Sequence, residues 1–151
     1  MTPRLDYFSI APKLLHPMLA LEQAVASSGL EHSLIELVKI RVSLINGCAF
    51  CLDMHTRDAM KAGETLERLF LLGAWREAAC YTPRERAALA WAEALTMVAV
   101  THAPDTDYDD LRPHFEDEEI VKLSLVITTI NAWNRLAIGF RSVPARAVPA
   151  A

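Results

Sequence analysis

Apolar residues recur at intervals of three and four along most of the chain, which is the period of a helix that buries one face. This pattern predicts helices over 12–28, 33–44, 48–63, 65–79, 83–98 and 117–140. The fourth of these is interrupted at Gly73. We therefore predict an all-α fold, a bundle of about six helices that forms a single domain over residues 1–151.

Local signals mark the starts of two of these helices. Ser33 and Glu36 have the S-x-x-E spacing of a capping box, in which each side chain satisfies a backbone N–H of the first turn. Thr82 and Glu85 repeat the spacing, with a proline at the favoured first helical position. Both pairs are predicted to begin helices.

The segments outside the helices are predicted to be irregular. Residues 1–11 are interpreted as an extended N-terminal arm, 101–110 as an acidic loop, and 142–151 as a flexible tail rich in Pro and Ala. Pro17 is a candidate for the true start of the first helix, and Gly29 for the residue that follows its end.

Composition narrows the class of protein. The 151 residues are 52% apolar and carry a net charge of −4, so no basic surface for nucleic acid or anionic lipid is expected. No apolar run has the ~20 residues of a membrane span, and the N-terminal residues do not resemble a signal peptide. We expect a cytoplasmic protein, where a close pair of its three cysteines serves catalysis or metal binding more often than a structural disulfide.

Two cysteines and a histidine stand close together directly after a turn signal, Asn46-Gly47. At about 100° per residue, Cys48, Cys51 and His55 fall within an arc of about 60° on one helix. The partial positive charge at the start of a helix favours a thiolate there. This stripe can therefore supply a nucleophilic thiol, a second thiol and an imidazole that moves protons.

Two other interpretations of the stripe remain open from the residues alone. A structural zinc ion needs four ligands, and the stripe has three. The fourth would come from one of the remaining Cys or His residues, none of which has ligand-like spacing: His16, His32, Cys80, His102 and His114. The stripe could also be two core cysteines and a hydrogen-bonded core histidine.

Glu36 can join the stripe if the chain reverses at Asn46-Gly47. A short connection usually makes consecutive helices pack antiparallel, which would bring Glu36 level with His55. A buried carboxylate beside an imidazole and a thiol forms a proton relay. The alternative is that Glu36 only caps its own helix as the partner of Ser33.

A resemblance to a known family covers these same residues. The span "ELVKIRVSLINGCAFCLDMHTRDAMKAGE", residues 36–64, resembles the AhpD-like alkylhydroperoxidase branch of the carboxymuconolactone decarboxylase superfamily. Its pattern, E-x11-C-x2-C-x3-H, is matched by Glu36, Cys48, Cys51 and His55. Weaker similarity continues over most of the chain.

The resemblance implies an all-helical fold that assembles as homo-trimers or homo-hexamers. It implies a redox-active Cys48–Cys51 disulfide that reduces small organic hydroperoxides, with Glu36 and His55 as the proton relay. An external dithiol would reset the disulfide, and no other cofactor and no metal are expected. The alternative function is a thiol–disulfide adaptor or redox sensor without significant peroxidase turnover. The attacking sulfur stays open between the two cysteines, because the helix N-terminus favours Cys48 as the thiolate and the nearness of His55, one turn on, favours Cys51. We favour Cys51 slightly.

Other residues bear on the site or its surroundings. Some relatives carry a histidine directly before the second cysteine, whereas this chain has Phe50. Asn131, Asn134 and Arg135 interrupt an apolar helix and predict a hydrogen-bond cluster. A sharper alternative is that Asn131 or Trp133 lines the substrate pocket.

The remaining predictions concern surfaces. Cys80 is expected to be a small thiol without a catalytic role, and Arg57 and Asp58 to lie on the exposed face of the cysteine helix. The very apolar helices over 83–98 and 120–140 are expected to bury part of their surface against another subunit.

Overall fold

The structure is a computed structural model that describes residues 2–144, and all regular structure in that range is helical. The predicted all-α class is confirmed. The helices are α1 (Tyr7–Ile10), α2 (Pro12–Ala26), α3 (His32–Asn46), α4 (Ala49–Lys61), α5 (Leu66–Leu71), α6 (Pro83–Thr96), α7 (Val98–Thr101), α8 (Asp105–Asp109) and α9 (Asp117–Phe140), with a 3-10 turn over Leu72–Ala74 after α5. The count exceeds six because several short helices lie in segments that were predicted to be irregular.

Helix α3 forms the centre of the bundle and packs against α4, α6 and α9. Its sequence, HSLIELVKIRVSLIN, is apolar around most of its circumference, so a stable position for it has neighbours on every side. Leu37, Val38 and Val42 are fully buried. Glu36 and Lys39 are buried on the same helix, and such charges are stable there only with partners.

The connection between α3 and α4 is a tight reversal. Gly47 ends α3 in the left-handed conformation, with φ of 71°, where a side chain would be strained. The Cys48 N–H donates to the Ser43 carbonyl at 3.0 Å, which closes the last turn. The predicted turn at Asn46-Gly47 is confirmed, and α4 folds back along α3.

One of the two predicted capping boxes is correct. At the start of α6 the Glu85 N–H donates to Thr82 Oγ1 at 3.2 Å, and the Thr82 N–H donates to Glu85 Oε2 at 2.8 Å. The box predicted at Ser33 and Glu36 is wrong, because α3 begins one residue earlier and has Glu31 at its N-cap. The side chain of Glu36 therefore takes other partners.

The flanking segments are more ordered than predicted. The predicted extended arm contains α1, capped by Asp6, whose side chain accepts from the Ser9 N–H at 3.3 Å. The predicted loop over 101–110 contains the end of α7 and all of α8. Pro17 does not start α2, because Pro12 already occupies its first turn, and Gly29 lies two residues beyond the Ser27 C-cap.

The end of α9 is held by contacts that the sequence pattern did not indicate. The Ser142 N–H donates to the Ala137 carbonyl at 2.8 Å, so the chain remains tied to α9 just beyond its end. Residues 145–151, the larger part of the predicted flexible tail, lie outside the described range. Part of the apolar surface of α9, of α7 and of the junction before α7 is exposed. These residues are Met97, Val98, Val100, Val121, Leu125 and Ile138.

Candidate active site

The start of α4 positions both cysteines of the stripe. Cys48 is the N-cap of α4, and its sulfur accepts from the Cys51 backbone N–H at 3.4 Å. Both thiols are free and almost fully buried, and their Sγ atoms are 2.6 Å apart. The two sulfurs are therefore within reach of disulfide formation without a change of backbone.

The two thiols share a proton unequally. The hydrogen bond from Cys51, helped by the backbone N–H groups of Cys51 and Phe50, lowers the pKa of Cys48 from 9.0 to about 7 although burial opposes it. The same bond to Cys48, together with burial, raises the pKa of Cys51. The pair therefore holds one thiolate near neutral pH, centred on the sulfur at the helix N-terminus.

Glu36 reaches the same site from α3. Its Oε2 atom lies 2.9 Å from His55 Nδ1, and both side chains are buried. An ionised carboxylate only accepts, so Nδ1 carries the proton and Nε2 is the acceptor nitrogen of the ring. The predicted antiparallel return of Glu36 to His55 is confirmed, and Glu36 caps no helix.

A second group of charges adjoins Glu36. The ammonium of Lys39 forms an ion pair with Glu22 Oε1 of α2 and lies 3.8 Å from Glu36 Oε1. The other oxygen of Glu22 accepts from Trp133 Nε1 of α9 at 3.1 Å. Glu22 and Lys39 were not predicted from the sequence, although a lysine within the apolar run ELVKIRV was a usable signal for a buried partner.

These groups surround one cavity of about 460 Å³, in the size range of small-molecule sites. Cys51 lines it and Cys48 does not. Its walls are mainly aromatic and aliphatic, with polar groups on the α3 and α4 side. The lining residues are Tyr7, Phe8, Leu19, Glu22, His32, Glu36, Lys39, Phe50, Cys51, Met54, His55, Asp58, Trp133 and Ala137.

The structure therefore brings together all four residues that the sequence singled out: Glu36, Cys48, Cys51 and His55. Among residues 2–144, no group of three or more His, Cys, Asp or Glu side chains has an arrangement that could hold a metal ion. No helix in that range is both long and apolar enough to cross a bilayer.

A family model agrees with this site and fold. The model of the carboxymuconolactone decarboxylase family matches residues 12–94, which is more than half of the chain. The chain belongs to this family. The matched span contains α2, α3, α4, α5 and most of α6. It therefore includes Glu22, Glu36, Lys39, Cys48, Cys51 and His55.

Individual relatives are similar over nearly the whole chain. The uncharacterized protein YdfG of Bacillus subtilis is 44% identical over 138 residues, which are 91% of this chain and 94% of the relative. A crystal structure of a protein of unknown function from Agrobacterium tumefaciens, described as a candidate AhpD antioxidant defence protein, is 46% identical with a TM-score of 0.93. The superposition covers 99% of this chain and 100% of that chain.

A more distant structure shares the fold alone. It is a peroxidase-related protein from Silicibacter, 24% identical with a TM-score of 0.82, and the match covers 92% of this chain and 74% of that chain.

Helix α9 lies beyond the span matched by the family model, yet it completes the back of the site. Asn46 Nδ2 donates to Asn131 Oδ1 at 3.0 Å and to Asn134 Oδ1 at 2.9 Å, and Asn134 Nδ2 donates to Ser43 Oγ at 3.1 Å. These bonds tie α9 to the turn that precedes Cys48. The predicted hydrogen-bond cluster is confirmed, and of the two pocket candidates Trp133 lines the cavity while Asn131 does not.

The other surface predictions concern Cys80, Arg57 and Asp58. Cys80 is a free, half-buried thiol outside the cavity. Arg57 is half-buried, where an exposed position was predicted, and it is tied to Asp53 on its own helix. Asp58 differs from the prediction in part, because it pairs with Lys61 at 2.8 Å and also lines the cavity.

Proposed function

We propose that this protein is a thiol-dependent peroxidase that reduces organic hydroperoxides through a Cys48–Cys51 disulfide cycle. The observation that supports this most strongly is the placement of two adjacent sulfurs beside an apolar cavity that a buried His55–Glu36 pair also lines. The similarity to the Agrobacterium structure described as a candidate AhpD antioxidant defence protein, 46% identical over 99% of this chain, agrees with it.

The cavity favours Cys51 as the attacking sulfur. A peroxide in the cavity can reach Cys51, which lines the cavity. Cys48 is not among the lining residues. The Cys51 proton can pass to the Cys48 thiolate, since the two sulfurs already share a hydrogen bond. Cys48 thus serves first as the base that deprotonates Cys51 and later as the resolving thiol.

The reaction is a two-electron reduction of the O–O bond. The Cys51 thiolate attacks the terminal peroxide oxygen, forms an S–O bond and releases the alcohol oxygen as an alkoxide, which leaves a sulfenic acid. The Cys48 sulfur then attacks this sulfenic acid, and a disulfide and water are formed. An external dithiol restores both thiols by exchange and leaves as its own disulfide.

Proton transfer in this cycle is assigned to Glu36 on α3 and His55 on α4. The leaving alkoxide and the departing water each need a proton. His55 lines the cavity together with Cys51, so its imidazole can deliver these protons. Glu36 fixes the imidazole through Nδ1 and stabilises its charged form when it accepts a proton. The two residues act as one relay.

The burial of the sulfurs disfavours the adaptor function. An adaptor exchanges disulfides with a partner protein, whose thiol must reach one of the sulfurs directly. Cys48 is 1% exposed and Cys51 is 2% exposed. A small hydroperoxide fits this access better, and the reductant must be slender enough to enter the same cavity.

We further propose that the protein works in the cytoplasm as a homo-trimer or homo-hexamer. A reducing compartment supplies the dithiol that the cycle requires. The exposed apolar residues of α7 and α9 offer a surface for a second copy. Light scattering on the purified chain should give a mass of three or six protomers, and a monomer would contradict this assembly.

The peroxidase proposal is tested by steady-state consumption of cumene hydroperoxide with a panel of dithiols. Wild type should turn over, and Cys51→Ser should not. In single-cysteine variants that also lack Cys80, dimedone should trap a sulfenic acid on Cys51 of the Cys48→Ser protein. No turnover by wild type with any dithiol, or unchanged turnover by Cys51→Ser, would overturn the proposal.

A further inference from the structure

Lys39 is the one lysine or arginine among the described residues that line the cavity, and the proposed peroxidase cycle gives its buried ammonium no role. It is 3% exposed and lies at the cavity between two carboxylates. Glu22 holds it directly, whereas Glu36 is 3.8 Å away. Glu22 is itself fixed by the indole of Trp133, so the ammonium is held by an acceptor that is already positioned.

The charges at this end of the cavity do not balance. Two carboxylates, those of Glu22 and Glu36, flank the single ammonium of Lys39, so this cluster has more acidic than basic groups. Asp58 also lines the cavity, but it is paired with Lys61 at 2.8 Å, so this pair adds no net charge. The potential inside the cavity is therefore unfavourable to an anion.

The rest of the lining offers an anion no compensation. The walls contributed by Tyr7, Phe8, Phe50 and Trp133 are aromatic, and they remove water from a ligand without replacing its hydrogen bonds. A carboxylate that entered would need the Lys39 ammonium as its partner. That ammonium is already occupied by Glu22.

We propose that the cavity takes an uncharged, apolar or aromatic ligand and that Glu22 excludes carboxylate-bearing ones by occupying Lys39. This names the substrate class of the proposed peroxidase and so rests on that function, as neutral organic hydroperoxides in preference to hydroperoxides of free acids. Glu22 is then a specificity-determining residue that takes no part in the chemistry.

Calorimetric titration with two unreactive probes of nearly equal shape tests this without any turnover. The probes are para-isopropylbenzyl alcohol and para-isopropylbenzoate at pH 7. Wild type should bind the alcohol at least tenfold more tightly than the carboxylate. In Glu22→Gln, which leaves an acceptor for Trp133 but frees Lys39, this preference should fall at least tenfold.

Two further variants identify the cause. Adding Lys39→Met to Glu22→Gln should restore the preference for the alcohol, because the freed ammonium is gone. Glu67→Gln makes the same charge change on the exposed surface of α5, away from the cavity, and should leave the preference at the wild-type value. A preference that falls equally in Glu67→Gln would mean that net charge, not Glu22, decides it, and would overturn the inference.

The wild-type measurement alone can also refute the inference. Equal or tighter binding of the carboxylate, or no binding of the alcohol, would overturn it even if a variant failed to fold. Failure of the peroxidase proposal is seen separately, as absent consumption of cumene hydroperoxide by a protein that still prefers the alcohol. When turnover is present, linoleic acid hydroperoxide should be reduced at least tenfold less efficiently than its methyl ester.

Discussion

Helix α3 carries two basic residues two positions apart, and they lie in different surroundings. Lys39 points into the cavity, where Glu22 and Glu36 flank it. Arg41 faces α6 and forms an ion pair with Glu93 at 2.7 Å, outside the cavity. The same helix thus presents one charged cluster to the reacting groups and another, half-buried, to α6.

The Arg41 cluster has the features of a structural network. Glu93 accepts from Arg41 Nε at 2.9 Å and from Trp75 Nε1 at 2.7 Å, and it also pairs with Arg76. Burial alone would raise the pKa of Glu93, but these donors outweigh burial and hold the pKa below its ordinary value. In contrast, Glu36 holds an imidazole that lines a cavity. Burial of charge alone therefore does not identify a functional site, whereas burial beside a cavity and a nucleophile does.

Among the predicted changes in turnover, the greatest is the difference between replacing Cys51, which lines the cavity, and replacing Cys80, which does not. Cys51→Ser should lower peroxide turnover at least about 1,000-fold, or ~4 kcal/mol, because the nucleophile is lost. Cys80 packs against buried apolar residues that include Trp75 and Tyr81 and do not line the cavity, so Cys80→Ser should leave turnover within twofold. Steady-state rates at equal protein concentration measure both. A comparable loss in Cys80→Ser would break the distinction.

Glu36→Gln should slow turnover about 100-fold, at the lower end of the ~10²–10⁴ range for general acid–base groups. The amide keeps the shape of the side chain but cannot stabilise the charged form of His55. Circular dichroism should show unchanged helicity, since Glu36 caps no helix. Loss of helicity with an unchanged rate per folded molecule would instead indicate a structural role.

The matched change on the other side is Glu93→Gln, and it should affect stability and not chemistry. Losing the charge leaves Arg41 with no anionic partner in a half-buried network, which should cost about 2 kcal/mol of unfolding free energy. Urea denaturation measures this, and the rate per folded molecule should stay near that of wild type. A rate loss as large as that of Glu36→Gln would show that the two faces are not functionally distinct.

The final prediction, which involves the smallest change, concerns the pH at which the Cys48 thiol ionises. With Cys80 replaced by Ser, thiolate absorbance of the reduced protein should rise by one thiolate with a midpoint near pH 7, the pKa of Cys48. Because this pKa is lowered on folding from 9.0, ionisation stabilises the fold at pH 9, and this stabilisation is lost as the pH falls through 7. A single midpoint near 9 would contradict the shared proton.

Sequence reasoning found the parts of the site that lie within one stretch of chain. The period of α4 placed Cys48, Cys51 and His55 together, and the Asn46-Gly47 turn predicted the return of Glu36. These inferences needed only helix geometry and the antiparallel result of a short connection.

The residues that were missed depend on pairing between distant segments. Glu22 and Trp133 are 111 residues apart, and neither has a local pattern that names its partner. Lys39 was detectable only as a charge within an apolar helix, without an indication of what neutralises it. The wrong capping box has the same cause, because Ser33-x-x-Glu36 fits the local motif while the tertiary partner His55 takes the carboxylate.

A single-turnover mass measurement tests directly whether a peroxide oxidises Cys48 and Cys51 to a disulfide. The fully reduced protein is mixed with one equivalent of cumene hydroperoxide without any dithiol and analysed after alkylation. We predict one equivalent of cumyl alcohol, a Cys48–Cys51 disulfide, and Cys80 recovered as an alkylated free thiol. Both cysteines of the pair recovered as free thiols with the peroxide unconsumed would contradict the account.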